Sequence, residues 1–375
     1  MRILQRYISI EVMSAVLFVL VAFLALFGFF DLMGELPEVG RGGYRLQHAF
    51  LYVLLGLPGY IYELMPIAAL IGTIYALASF ASRSEFTIMR ASGMSTGMAG
   101  LALAKIGLVF VFLTFLFGEF IAPAASEMAQ TYKLQARGAS ISQEFRSGLW
   151  AKDVIRRNGV TGEQIGTRFI NVREVKPNGQ LIGVRLYEFD PTLRLTAIIR
   201  ADQAVFSGAN TWRLMQVTEN LFAGNVADNS AAVQSRTLAS RDLVTEVTPD
   251  ILSVLFADPD RMSAIDLSAY TRHLAENKQS TARYELAFWK KVVYPFAVLV
   301  MMALALPFAY LHFRAGGLSL KIFIGIMIGV AFQLLNSLFS HVGLLNTWPA
   351  VSTAVLPSAL FLLLAIGSLL WVQRH

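Results

Sequence analysis

Within ASRSEFTIMRASGMST, Glu85 stands between Arg83 and Arg90, interleaved with the apolar Phe86, Ile88 and Met89. This is the pattern of a short amphipathic helix lying on a membrane surface. Two chemistries fit it: an interfacial connector whose charges snorkel to the headgroups, or a coupling helix in which Glu85 pairs with a basic residue of a separate motor. In EMAQTYKLQAR, Gln130, Lys133 and Arg137 recur at spacings of three and four, one helical face if the helix continues past Pro123. That face could meet a phosphate, or could be an ordinary solvated face. Glu63, between Pro58 and Pro66, is either an interfacial carboxylate or a buried relay. Lys105 and Glu119 lie near opposite ends of one apolar run, where snorkelling suffices.

Other chemistries lack their residues. No HExxH, GxSxG or metal-ligand spacing occurs, and the absence of Cys removes thiol catalysis, thiolate metal sites and disulfides together. No GxxxxGK[ST] loop occurs either, so any ATP and Mg must sit on a separate subunit, and no cofactor or metal is expected in this chain. There is no ladder of acids across several spans, which speaks against a proton-driven carrier.

The elements that position these residues follow from composition. Of 375 residues 55% are hydrophobic and 15% charged, against about 25% charged in soluble domains. Predominantly apolar runs predict six spans: Val12 to Phe30, Ala49 to Ala81, Met98 to Ala122, Leu286 to Leu311, Ile322 to Ser340 and Ala350 to Val372. The first exceeds a signal peptide's apolar region and lacks a cleavage site, so it reads as retained. The second contains Pro58 and Pro66 and is expected to be kinked or broken. Arg2, Arg6, Arg83, Arg90, Arg314, Lys321 and Arg374 gather on one side, against Arg41 and Arg45 on the other. This predicts cytoplasmic termini. It also accounts for the net charge of +6 without nucleic acid, since no Lys and Arg cluster interleaves with aromatics. Lys290 and Lys291 run against the pattern.

Residues 1–122 and 286–375 thus form a membrane α-helical domain, with a surface helix at about 83–96. Residues 123–285 form an extracytoplasmic insertion. Within it TRFINVREV, IGVRLYEFD, LRLTAIIRA, QAVFSG and TWRLMQVTEN alternate and are rich in β-branched and aromatic residues. Pro-Asn-Gly, Asp-Pro and Gly-Ala-Asn turns separate them. An antiparallel β-sandwich or open barrel is expected, serving as a binding or docking module able to add a partner's strand at its edge. A helix over Ser263 to Asn277 leads back to the membrane.

Several of these segments also carry a resemblance: RSEFTIMRASG (Arg83 to Gly93), GEFIAP (Gly118 to Pro123), GLWAKD (Gly148 to Asp153), the DPD at Asp258, and RYELAFWKKVVYPFAVLVMMALALPF (Arg283 to Phe308). In this order and layout the chain resembles the lipopolysaccharide-export permeases of the LptF/LptG family, and GLWAKD sets it on the LptG side. The resemblance implies a six-span inner-membrane subunit with a periplasmic jellyroll-like domain. It would pair with LptF, bind two copies of the cytoplasmic ATPase LptB, and extract lipopolysaccharide from the outer leaflet. The lipid would pass to LptC and the periplasmic bridge LptA, in a Gram-negative bacterium building its outer membrane.

It further implies that Glu85 is the coupling acid contacting LptB, with Arg83, Phe86 and Arg90 around it, and that Lys133 lies near lipid phosphates. The chain departs from the family pattern at Asp31, where relatives carry Lys; at Gln130, where they carry Arg; and at Pro37 and Glu38, where they carry two Lys. Three substitutes remain open: phosphate contacts at Arg41, Lys133 and Arg137; divalent cations bridging phosphates to Asp31 and Glu35; or a less phosphorylated substrate. Acyl chains cost about 0.8 kcal/mol per CH₂ to expose, so the cargo needs apolar walls. Phe27, Phe29 and Phe30 of the first span and Phe323, Met327 and Phe332 of the fifth are expected to line a cavity facing LptF, or else to pack helices or face lipid. The rival functions are an ion-coupled secondary transporter of a lipid or amphiphile, and an intramembrane or periplasmic enzyme.

Overall fold

The computed structural model describes residues 2–137, 148–158, 161–176, 179–223, 232–254, 258–276, 279–310 and 318–374. Arg314, Leu311 and Asn277, and the Pro177 and Asn178 of one expected turn, lie outside them. Among the described residues six helical stretches are long and apolar enough to cross a membrane: Ile3–Glu38, Leu46–Ser82, Thr96–Arg137, Ala282–Ala309, Leu318–Leu345 and Ala350–Val372. In lipid the backbone can be satisfied only within the segment, so uncharged runs of this length become helices.

The elements in order are α1 (Arg2–Glu35), α2 (Leu46–Ser82), α3 (Glu85–Ala91), α4 (Thr96–Leu116), a π-helical turn (Phe117–Ile121) and α5 (Ala122–Arg137). Strands β1 to β6 follow, then α6 (Pro249–Val254), α7 (Ala264–Glu276), α8 (Ala282–Val293), α9 (Ala297–Ala305), α10 (Leu318–Leu345) and α11 (Ala350–Arg374). The 34-residue α1 is about 51 Å long. It therefore overhangs a hydrocarbon layer of about 30 Å, and its two ends bear polar residues.

The central element is α2, against which α1, α5, α9 and α10 all pack. Its prolines do not break it: 37 residues run as one helix through Pro58 and Pro66. Pro66 withholds a hydrogen bond from the carbonyl four residues back, and in the same turn the Tyr294 hydroxyl donates to the Glu63 carbonyl at 2.5 Å. Neighbouring helices thus supply polar partners where the helix is weakened. Lipid tails give no hydrophobic drive to helix pairing, so close approach through small residues supplies it. A Cβ on Gly72 would lie 2.5 Å from the Val16 Cα, and Gly325 and Gly329 of α10 sit over Ile74 and Ile67. Around these contacts Met65, Leu70, Ile74, Phe80, Phe110, Met301 and Phe332 form a continuous buried core.

The third span is longer than the expected Met98 to Ala122. After the π-helical turn its helix continues through Pro123 to Arg137, so residue 123 is not a structural break. Lys133 and Arg137 do share one face.

The insertion is one six-stranded antiparallel sheet: β1 Leu149–Asn158, β2 Thr161–Val175, β3 Leu181–Phe189, β4 Leu195–Gly208, β5 Thr211–Ala223 and β6 Ala232–Val244. The strands lie side by side in sequence order, a meander where a complete jellyroll would cross over. Alternation puts Leu149, Val172, Val184, Ala201 and Val217 in one buried row across the sheet. The sheet coils so that β6 returns toward β2 and β3: Arg168 reaches the Val244 carbonyl at 3.3 Å, and Arg241 lies 3.9 Å from Glu188. Asp153 of GLWAKD is fully buried on this concave face, paired with Arg168 at 3.2 Å. Glu219, also fully buried, receives Arg236 and Arg241. The open-barrel expectation is met by a sheet whose curvature side-chain ion pairs close.

Candidate functional site

The residues singled out in the sequence gather at opposite ends of α1. Near its start, Ser84 takes a left-handed turn (φ 59°) that lets α3 leave α2. Phe86 and Met89 are buried, at 4% and 6% exposure. The Phe86 ring stands edge-on to Tyr310 at 5.0 Å, and the Arg90 guanidinium lies over the same ring at 5.2 Å. Tyr310 is fixed in turn by donating to Thr96 at 2.9 Å. Phe86, expected beside the coupling acid, is an anchor that holds α3 in the bundle. Glu85 is held at the surface. Its Oε2 accepts from the Tyr7 hydroxyl at 3.0 Å, while Oε1 is 3.8 Å from Arg83. The Tyr7 ring rests on Phe80. Beside Glu85 a cleft is lined by Ile3, Leu4, Tyr7, Ile88, Met89 and Ser92, with Ile88 largely exposed.

At the other end, Lys133 of α5 meets Glu35 at 2.5 Å, and Arg137 meets Glu38 at 2.9 Å. Arg41 pairs with Glu38 at 3.0 Å. Aromatic rings seat the cations, Lys133 over Tyr52 at 4.3 Å and Arg137 over Tyr44 at 5.4 Å. The carboxylates are held too: Tyr44 donates to Glu35 at 3.2 Å and Tyr60 to Asp31 at 2.9 Å. Gly42 (φ +58°) makes this closure possible, because any Cβ there would collide with the Arg137 carbonyl. Gln130 is half-buried on α5, and Pro37 belongs to the short 3-10 turn Leu36–Glu38. All three expected cations are brought together, each against an acid. Asp31 and Glu35, the expected ligands of a bridging cation, are engaged by Tyr60, Tyr44 and Lys133.

The apolar candidates divide. Phe29, Phe30, Phe323 and Met327 stand outward from α1 and α10. Phe27 is half-buried against Tyr60 at 5.2 Å. Phe332 is only 1% exposed and packs edge-on to Phe361 at 5.1 Å, so it belongs to the core and lines no open surface. A uniformly apolar helix carries no mark of which face turns inward.

A third cluster escaped sequence reasoning. Glu119, expected to snorkel, is buried in the π-helical turn and caps α7, accepting from the backbone N–H groups of Ala264 and Ile265. Nearby, Asp258 meets Arg283 at 3.5 Å and Asp260 meets Lys290 at 3.4 Å. Lys291 is buried with its ammonium 5.0 Å from the Tyr62 ring centroid. The two lysines that contradicted the charge pattern thus belong to this joint between sheet and membrane helices. GEFIAP, DPD and RYELAFWKK were its signal, but nothing in them says that they meet. Glu63 has an exposed side chain beside this region, and Lys105 is exposed on α4.

The whole layout, six spans interrupted by one antiparallel sheet, falls within a single family description. The model of the lipopolysaccharide export system permease LptF/LptG family matches residues 6–371. The chain belongs to the LptF/LptG family. Among curated proteins it is 31% identical over 369 residues to the lipopolysaccharide export system permease protein LptG of Escherichia coli K12, covering 98% of each chain. It is 30% identical over 362 residues to LptG of Haemophilus influenzae, covering 96% of each. As a member of the LptF/LptG family it is a multi-pass membrane permease subunit and not itself an enzyme.

Proposed function

We propose that this chain is the LptG-type half of an ATP-driven lipopolysaccharide exporter in the bacterial inner membrane. It pairs with LptF, is driven by two LptB subunits on the cytoplasmic side, and delivers lipid through LptC to LptA. Residues 1–122 and 286–375 form the membrane part, with both termini cytoplasmic, and residues 123–285 the periplasmic part. The observation that carries the reading is the mounting of Glu85. A carboxylate at the membrane surface, on a helix anchored in the bundle by Phe86 and Met89, is what a separate motor needs as a handle.

Tyr7 makes that handle part of α1, whose far end bears Glu35 about 42 Å away. A push on α3 therefore reaches the outer mouth through one stiff helix. At the mouth the acyl chains remain in apolar surroundings against Phe29, Phe30, Phe323 and Met327, since exposing each CH₂ costs about 0.8 kcal/mol. Headgroup phosphates meet Lys133, Arg137 and Arg41. Arg83 and Arg90 flank Glu85 and limit which basic groups of the motor reach it.

The test is Glu85→Lys in the assembled complex, reading ATPase association and lipopolysaccharide release from proteoliposomes. Both should fall at least about tenfold, the loss of a charge-assisted contact worth roughly 1.5–3 kcal/mol. Unchanged release, or release driven by an ion gradient without the ATPase, would overturn the reading. Orientation is tested separately: in this Cys-free chain, Arg213→Cys on β5 should be labelled from the periplasm, and labelling only from the cytoplasm would invert the molecule.

A further inference from the structure

The three cations that the proposed headgroup site offers are already paired from within. Glu35 stands against Lys133, and Glu38 against both Arg41 and Arg137, on the ends of α1 and α5 and the loop between α1 and α2. The pairs are not chance surface contacts. Lys133 and Glu35 have side chains 20% and 13% exposed, and Arg137 and Glu38 have 25% and 30%. Both members are preorganised, the cations by tyrosine faces and Glu35 by the hydroxyl of the buried Tyr44.

An incoming phosphate therefore cannot simply add to a positive site. It must take Lys133 from Glu35, and Arg137 and Arg41 from Glu38, so one ion pair forms as another breaks. The displaced carboxylates are left facing the phosphate, and like charges at that distance repel. Binding by exchange is weaker than binding to free cations, and the carboxylates are in place to retake the cations when the lipid leaves. A transport site needs this, because a headgroup held tightly would stay at the mouth instead of moving on.

We propose that Glu35 and Glu38 are specificity-determining residues that compete with the lipid's phosphates for Lys133, Arg137 and Arg41. They lower the site's preference for phosphorylated headgroups and favour release. The proposal rests on the lipid-export reading and adds to it the residues that set how strongly charge is recognised.

The experiment uses the full complex in nanodiscs loaded with equal amounts of bis-phosphorylated and dephosphorylated lipid A, reading the ratio retained. Glu35→Gln and Glu38→Gln should each raise the ratio about three- to tenfold, the effect of freeing one cation at a partly exposed site. Bis-phosphorylated lipid should also leave more slowly. Adding Lys133→Gln to Glu35→Gln should cancel the gain, because no cation is then released. A ratio that falls or stays level in both single variants would overturn the proposal, making the carboxylates mere supports for the cations. Glu38, the more exposed acid, decides alone if Glu35→Gln does not assemble. Retention of neither lipid by the unaltered complex would instead defeat the export reading itself.

Discussion

The carboxylate of Glu119 accepts the backbone N–H of Ala264 at 2.8 Å. The same group takes the N–H of Ile265 at 3.2 Å, so a side chain from the third span supplies the N-terminal cap of the helix that leaves the sheet. Together with the Asp258 to Arg283 and Asp260 to Lys290 pairs, it fastens the β domain to the bundle.

Glu119→Ala leaves two part-buried N–H groups without their side-chain acceptor and should cost about 1–2 kcal/mol. The expected outcome is a lower thermal midpoint in detergent and faster proteolysis at α7. Glu119→Gln keeps an acceptor oxygen and should fall between the two. Equal protection of α7 in all three proteins would show that the cap holds nothing.

The concave face of the sheet should respond to acid through Glu219. Burial pushes this carboxyl up, but the Arg236 and Arg241 hydrogen bonds outweigh it and leave it below the ordinary carboxylate value. A depressed folded pKa gives stability that is present above the unfolded value of about 4.5 and lost as pH falls through the folded one. Sheet stability, followed by limited proteolysis of the intact protein, should drop below about pH 4.5, and Glu219→Gln should flatten that drop. At neutral pH the same substitution should destabilise the sheet by about 2–3 kcal/mol, because Arg241 loses its closer partner and keeps only Glu188 at 3.9 Å, while Arg236 stays hydrated. A pH profile identical in both proteins would remove Glu219 from the account. Asp190 is also held low, by the Arg194 backbone N–H and by Thr192, but it lies on an exposed turn. Asp190→Asn is the comparison that should change little.

Gly72 sets the distance between α1 and α2. A Cβ there would meet the Val16 backbone at 2.5 Å, so one helix must move. Gly72→Val should cost about 2–3 kcal/mol or more and lower the yield of monodisperse protein. Gly72→Ala should be milder but loosen α1 at both ends. Tyr7→Cys with Glu85→Cys, in a chain without cysteine, gives a crosslinking readout with a bifunctional thiol reagent long enough to span the Tyr7–Glu85 contact, and its yield should fall in the Gly72→Ala background. An undiminished yield would mean that α1 is not held by this contact.

Local information carried much of the architecture. Six predominantly apolar runs had to become spans because lipid offers the backbone no other partner. The alternation in TRFINVREV and IGVRLYEFD could bury one face only as strands. The helical spacing of Lys133 and Arg137 was likewise readable, and so was the acid in the basic loop at Glu85.

The partners of those residues were a different matter. Glu119 and Ala264 are 145 residues apart, Lys133 and Glu35 are 98, and Tyr7 and Glu85 are 78. No local pattern distinguishes an acid that snorkels from one that caps a distant helix, or a cation free for phosphate from one already neutralised. Phe332 and Phe323 lie on one helix, in the stretch 322–332 that has no polar side chain to orient it, yet one is in the core and the other outside. The sequence by itself determined which segments enter the membrane and which form the sheet, because desolvation acts residue by residue along the chain. Tertiary structure alone decided which charges meet and which aromatics turn inward, because those depend on which helices the packing of Gly72, Gly325 and Gly329 brings into contact.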